Sequence, residues 1–112
     1  MRRTLLAGFL ILLAAAALAH SKLGTTVPPD GAVLAAMPSE IVLSFTKRLR
    51  LTRVRMTRDG EGADLDIGGL KGFASRFAVP VRGRGPGTYR IEWRGLAADG
   101  HAMRGGFSFR VE

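Results

Sequence analysis

The chain has two histidines among its 112 residues, His20 and His101, and their settings give them different chemistry. His20 follows Ala17-Leu18-Ala19, a small-residue pattern of the kind cut by signal peptidase. Cleavage after Ala19 leaves His20 with a free α-amine beside its own imidazole. Those two nitrogens can grip one metal ion, closing a six-membered chelate ring through Nδ1, which an internal histidine cannot do. His101 lies in Ala97-Ala98-Asp99-Gly100-His101. Residues two apart on an extended stretch face the same side, and in a bent loop the intervening glycine lets both side chains converge. His20, Asp99 and His101 together offer one amine, two imidazoles and a carboxylate. Three nitrogens and an oxygen in tetragonal array suit Cu(II), which also heads the affinity order of the divalent first-row ions. Zn(II) can take the same donors tetrahedrally, so donor type alone leaves the metal open. The amine ordinarily titrates near pH ~8, so a metal must displace its proton and binding is pH-dependent.

The segment before His20 is built for export. Arg2 and Arg3 supply a positive start and Leu5–Leu18 an almost unbroken apolar run, short for a membrane span of about 20 residues. Residues 1–19 are therefore expected to be a signal peptide, and residues 20–112 one small exported domain, soluble after cleavage. The chain contains no cysteine, which excludes disulfide staples, thiolate metal sites and cysteine nucleophiles. Without Arg2 and Arg3, fifteen Lys/Arg face nine Asp/Glu, and Arg48, Arg50, Arg53, Arg55 and Arg58 crowd one stretch. A basic excess suits nucleic acid, an anionic membrane surface or an acidic protein. Export removes nucleic acid from that set. Because these arginines alternate with apolar residues, they read first as a solvated sheet face.

The elements that must position the three residues are strands. Ile41, Leu43 and Phe45 share one face of a two-residue repeat, as do Val54 and Met56, then Phe77, Val79 and Val81, then Tyr89, Ile91 and Trp93, and finally Phe107, Phe109 and Val111. Pro28-Pro29-Asp30-Gly31, Arg58-Asp59-Gly60 and Gly83-Arg84-Gly85-Pro86-Gly87 are turn signals. The only hint of helix is a turn near Ala32–Ala36. Gly60–Ser75 is the least regular stretch, either a weak edge strand around Leu65 or a loop. The expected fold is all-β, a small antiparallel Greek-key sandwich of immunoglobulin or cupredoxin type. Trp93 and Met56 are placed in its core, Met103 against it, and Tyr89 with a hydrogen-bond partner at the sandwich edge.

The order and spacing of several pieces resemble the CopC-like periplasmic copper-binding proteins. These are His20-Ser21-Lys22-Leu23, Pro29-Asp30-Gly31-Ala32, Pro38–Phe45, Gly87–Arg94, Ala98-Asp99-Gly100-His101 and Gly106–Val111, which together run along nearly the whole of residues 20–112. The resemblance implies a β-sandwich in copper resistance or uptake. It also implies one Cu(II) ion per chain, held by the terminal His20 with Asp99 and His101. A membrane copper transporter of the CopD type, or another periplasmic copper protein, is the implied partner. Two departures stand out. Thr57–Lys71 lacks the methionines and histidines with which some relatives hold Cu(I), which points to Cu(II) alone. Thr46-Lys47 stands where many relatives carry Ser-Glu, which makes the site more positive.

Two other classes of function are open to the same residues. A non-metal immunoglobulin-like docking module would be indifferent to extension before His20. A histidine-brace copper oxidase or oxygenase would need an open coordination position, which Asp99 would fill. The expected protein is accordingly a copper carrier or buffer and not an enzyme.

Overall fold

A computed structural model of the chain describes residues 23–112, apart from Arg84. His20 therefore lies outside the described residues, as do the leader and its cleavage site. Seven strands account for the architecture: β1 (Leu23–Val27), β2 (Ala32–Leu34), β3 (Glu40–Arg58), β4 (Glu61–Asp64), β5 (Phe73–Pro80), β6 (Gly87–Ala97) and β7 (Ala102–Val111). The described residues contain no helix.

β3 is nineteen residues long and joins what the hydrophobic pattern marks as two separate strands. Its first half lies between β1 and β5, with Leu43 opposite both Thr26 and Phe77. Its second half pairs with β6 from Leu49↔Ala97 to Arg58↔Tyr89, and with β4 from Arg55↔Asp64 to Arg58↔Glu61. The sheet continues through β7 to β2. One strand thus belongs to both layers, and the sheet curls on itself into a sandwich. The register irregularities mark the crossing, one between Ser44 and Leu49 against β5 and one between Leu51 and Arg53 against β6. A strand that bends and carries an extra residue can present Ile41, Leu43 and Phe45 to the core and then Leu49, Leu51, Val54 and Met56 to the same core.

The expected fold class holds, with one exception to antiparallel pairing. β2 runs parallel to β7, with Ala32↔Phe109, Val33↔Arg110 and Leu34↔Val111. These residues are where a turn is expected, and they form instead a three-residue strand. The stretch is anchored by Gly31 N–H donating to the Ser108 carbonyl at 2.7 Å and Glu112 N–H to the Leu34 carbonyl at 2.9 Å. In the irregular stretch, Glu61–Asp64 forms an edge strand just before Leu65, and the chain then loops to Phe73. Asp59 and Gly60 make the two-residue β3–β4 connection. Both adopt positive φ, 50° and 93°, as a type I′ hairpin turn demands.

Every aromatic residue expected inside is inside. Tyr89, Phe107 and Phe109 are almost wholly buried, and Phe45 meets Trp93 edge-on at 4.8 Å between ring centroids. Burying side chains of this size contributes roughly 1.5–3 kcal/mol each before conformational entropy is counted. The Tyr89 hydroxyl donates to the Gly85 carbonyl at 2.7 Å, the partner its position calls for. Trp93 faces Gly105 across the β6–β7 ladder. A Cβ on Gly105 would lie 2.8 Å from the indole Cζ2, and Phe45 blocks the ring from retreating. Gly105→Ala is accordingly expected to lower stability by about 1–3 kcal/mol, the cost of overpacking, measured as a shift of the urea midpoint. A midpoint equal to that of the unaltered protein would show that the indole can move aside.

Candidate metal centre

β6 and β7 are joined by the turn that carries the Asp-Gly-His sequence. Gly100 N–H donates to the Ala97 carbonyl and Ala97 N–H to the His101 carbonyl, both at 2.9 Å. Gly100 has φ of 91°, so the connection closes as a short turn followed by a left-handed residue. A side chain there would be strained, which explains glycine between the two polar residues.

Asp99 and His101 are brought together by this turn. One carboxylate oxygen, Oδ1, accepts the His101 backbone N–H at 3.0 Å, and Oδ2 lies 2.8 Å from the His101 Nδ1. The His101 backbone and side-chain hydrogen bonds hold the Asp99 carboxyl below the usual carboxylate range. An ionised carboxylate only accepts, so Nδ1 is the donor in this bond, and in the neutral imidazole Nε2 is the nitrogen that carries the lone pair. His101 is 82% exposed and Asp99 66%, so the imidazole stands in solvent with its orientation set by its neighbour. A histidine braced by a carboxylate, with its other nitrogen open, is an arrangement metal sites use to orient a ligand.

The pair borders an open cleft of about 930 Å³ lined by Thr46, Lys47, Arg48, Leu49, Ala97, Ala98, Asp99, His101 and Met103. Its β3 wall is the segment where that strand passes from one layer to the other. Thr46 and Lys47 occupy the positions where the sequence anticipates a lost carboxylate, and Lys47 and Arg48 make this wall basic. Arg48 also donates to the Phe73 carbonyl at 2.9 Å. Met103 lines the cleft while packing partly against the core, a placement that sequence spacing left between site and packing.

Asp99 and His101 are thus neighbours as expected, and His20 lies outside the described residues. Among the described residues, no three His, Asp or Glu side chains converge on one point. The direction of β1 was not legible in the sequence. β1 enters its ladder with Leu23 opposite Phe45, and β6 leaves its own with Ala97 opposite Leu49. Between those two pairings lies the Thr46–Arg48 stretch of β3, which lines the cleft.

Comparison with known proteins identifies the domain. The CopC domain family matches residues 23–112. The chain is 30% identical over 131 residues to copper resistance protein C of Escherichia coli, covering all of this chain and 98% of that one. It is 30% identical over 118 residues to copper resistance protein C of Xanthomonas campestris pv. juglandis, covering 90% and 87% of the two chains. Among solved structures, CopC from Methylosinus trichosporium OB3b superposes with a TM-score of 0.63 at 21% identity, covering 83% of this chain and 94% of that one; this match bears on the fold. PcoC, a methionine-rich copper resistance protein from Escherichia coli, superposes with a TM-score of 0.58 at 25% identity, covering 81% and 97%. The described sandwich is the CopC domain, and the chain belongs to the CopC family of copper resistance proteins.

Proposed function

We propose that this protein binds one Cu(II) ion in the periplasm for copper resistance, buffering or transfer, without enzymatic chemistry. The ion is held by the α-amine and Nδ1 of His20, after cleavage behind Ala19, and by Nε2 of His101. Asp99 sets the His101 ring through the His101 backbone N–H and Nδ1. The observation that carries the reading is the braced His101 at the cleft beside which β1 begins. His20 is three residues before Leu23, and Leu23 pairs with Phe45, next to Thr46 in the cleft wall. At about 3.3 Å per extended residue, three residues reach roughly 10 Å, enough to bring a terminal amine to the cleft.

The donor set fits Cu(II). Three nitrogens and no thiolate match its preference for tetragonal nitrogen-rich sites. Cu(I) prefers soft sulfur donors, and the methionines beyond Met1 are dispersed: Met37 and Met103 pack at the edge of the core and Met56 lies within it. Only Met103 reaches the cleft. Transfer to a membrane transporter of the CopD type rests on the family resemblance.

Two measurements test the reading. Cu(II) EPR on the chain beginning at His20, which retains every strand and the whole core, is expected to show one tetragonal, nitrogen-rich signal saturating at one equivalent. One extra residue before His20 removes the terminal chelate and should abolish or strongly alter that signal. An identical spectrum with the extension would overturn the terminal site. In the second, His101→Ala is expected to remove a nitrogen from the superhyperfine pattern. Asp99→Ala should keep the nitrogens but weaken binding by about 10- to 100-fold, the usual effect of losing a carboxylate that orients a ligating histidine. Full affinity in both variants would place the copper elsewhere.

A further inference from the structure

The outer face of the β3–β6–β7 sheet carries a concentration of arginine that the copper site does not explain. Arg53 stands directly across from Arg94, and Arg94 directly across from Arg104, so three guanidinium side chains line up across three adjacent strands. Arg55 and Arg90 complete a concave patch of about 350 Å³ with Gly105 and Gly106 in its lining, and Glu92 is the one carboxylate among the described residues lining it. Arg53 is held by Asp64 at 2.8 Å and Arg90 leans on the Ser108 hydroxyl at 3.3 Å. Arg94 and Arg104 take part in none of the ion pairs of the described residues.

Like charges directly opposite on neighbouring strands destabilise a sheet. At cross-strand spacings of about 5 Å, well inside a Debye length of about 8 Å, salt does not hide them from one another. An ordinary solvated sheet face mixes signs at these positions. The patch holds arginine and no lysine, and arginine presents the planar fork that matches phosphate and carboxylate oxygens two at a time. Protein-binding faces place aromatic or aliphatic anchors at their centre. Here the one aromatic residue in the lining, Trp93, is 3% exposed and committed to the core, and the exposed large apolar residues, Val27, Val33 and Phe73, lie outside the patch.

We infer that this arginine face docks the protein on an anionic phospholipid surface, with the guanidinium groups engaging lipid phosphates. The inference is independent of copper. Docking would also bring the Asp99–His101 turn near the membrane, because β6 and β7 run from Arg94 and Arg104 directly into that turn.

The test is co-sedimentation of the chain beginning at His20, free of metal, with phosphatidylcholine vesicles made with or without phosphatidylglycerol. Binding is expected only with phosphatidylglycerol and should weaken as salt rises. Each arginine near an anionic surface strengthens adsorption roughly fivefold, so Arg94→Gln with Arg104→Gln should weaken it by more than about tenfold. Lys71→Gln with Arg76→Gln removes the same charge outside this face and should have a much smaller effect. Thermal unfolding checks the fold, and the Arg94→Gln, Arg104→Gln protein should melt no lower than its parent because a cross-strand repulsion is gone. No binding to phosphatidylglycerol vesicles, or equal losses in the two double variants, overturns the inference. Displacement from vesicles by inorganic phosphate would make the patch a free-phosphate site. Stronger capture of polyglutamate than of vesicles would make it a face for acidic proteins, and either result also overturns membrane docking.

Discussion

β3 is hydrogen-bonded to β1, β4, β5 and β6, and the two remaining strands hang from β6 through β7. Almost every long-range feature depends on that strand keeping its register on both sides of its bend. A slip by one residue would turn Ile41, Leu43 and Phe45 outward in one layer, or Val54 and Met56 in the other. The two halves cannot slip independently, because the chain between them is continuous backbone. Gly95 permits the close approach this needs: a Cβ there would lie 2.8 Å from Leu49 Cδ1 and 2.9 Å from the Arg50 carbonyl oxygen.

The cleft is a consequence of the same constraint. The strand changes ladder partners along its length, and the change falls at Thr46–Arg48, between the start of β1 and the end of β6. The β6–β7 turn projects beside it because β6 ends there. The site residues therefore need no element of their own. They occupy a gap the topology leaves open, bordered by a tight turn whose geometry is fixed by Gly100.

How far sequence reading reaches follows from this. The two-residue apolar repeat identified the core almost residue by residue, because half-buried strands must alternate. Asp59-Gly60 and Asp99-Gly100 announced their turns through residues that tolerate positive φ. Ala32–Leu34 was not legible as a strand. Its pairing comes from β7, seventy-odd residues away, and three small apolar residues show no period of their own. The union of two strands into β3 was hidden for a related reason. Thr46–Arg48 interrupts the alternation, and alternation cannot distinguish a bend from a break. The partnership of Asp99 and His101 was foreseeable from their spacing, whereas the direction of β1 relative to them belongs to long-range register. The stacked arginines show the same limit: alternation put each on an outer face, but only strand pairing put Arg53, Arg94 and Arg104 side by side.

The proposed copper site joins two kinds of ligand with different thermodynamic character. His101 is oriented before metal arrives, since Asp99 binds both its backbone N–H and its ring. Little conformational freedom remains to be lost there, so its share of the binding energy is nearly undiminished. Ordering any residue that is fixed only through the metal costs about 1–2 kcal/mol of backbone entropy. A chelate that supplies two nitrogens from one residue offsets that cost, because the second nitrogen binds without further ordering of the chain. Such a division suits a carrier better than a permanent metal centre. The braced imidazole would retain its geometry as the ion leaves, because its brace does not involve the metal. The basic wall of Lys47 and Arg48 favours the same outcome, since cations beside a cation weaken its hold without removing a ligand.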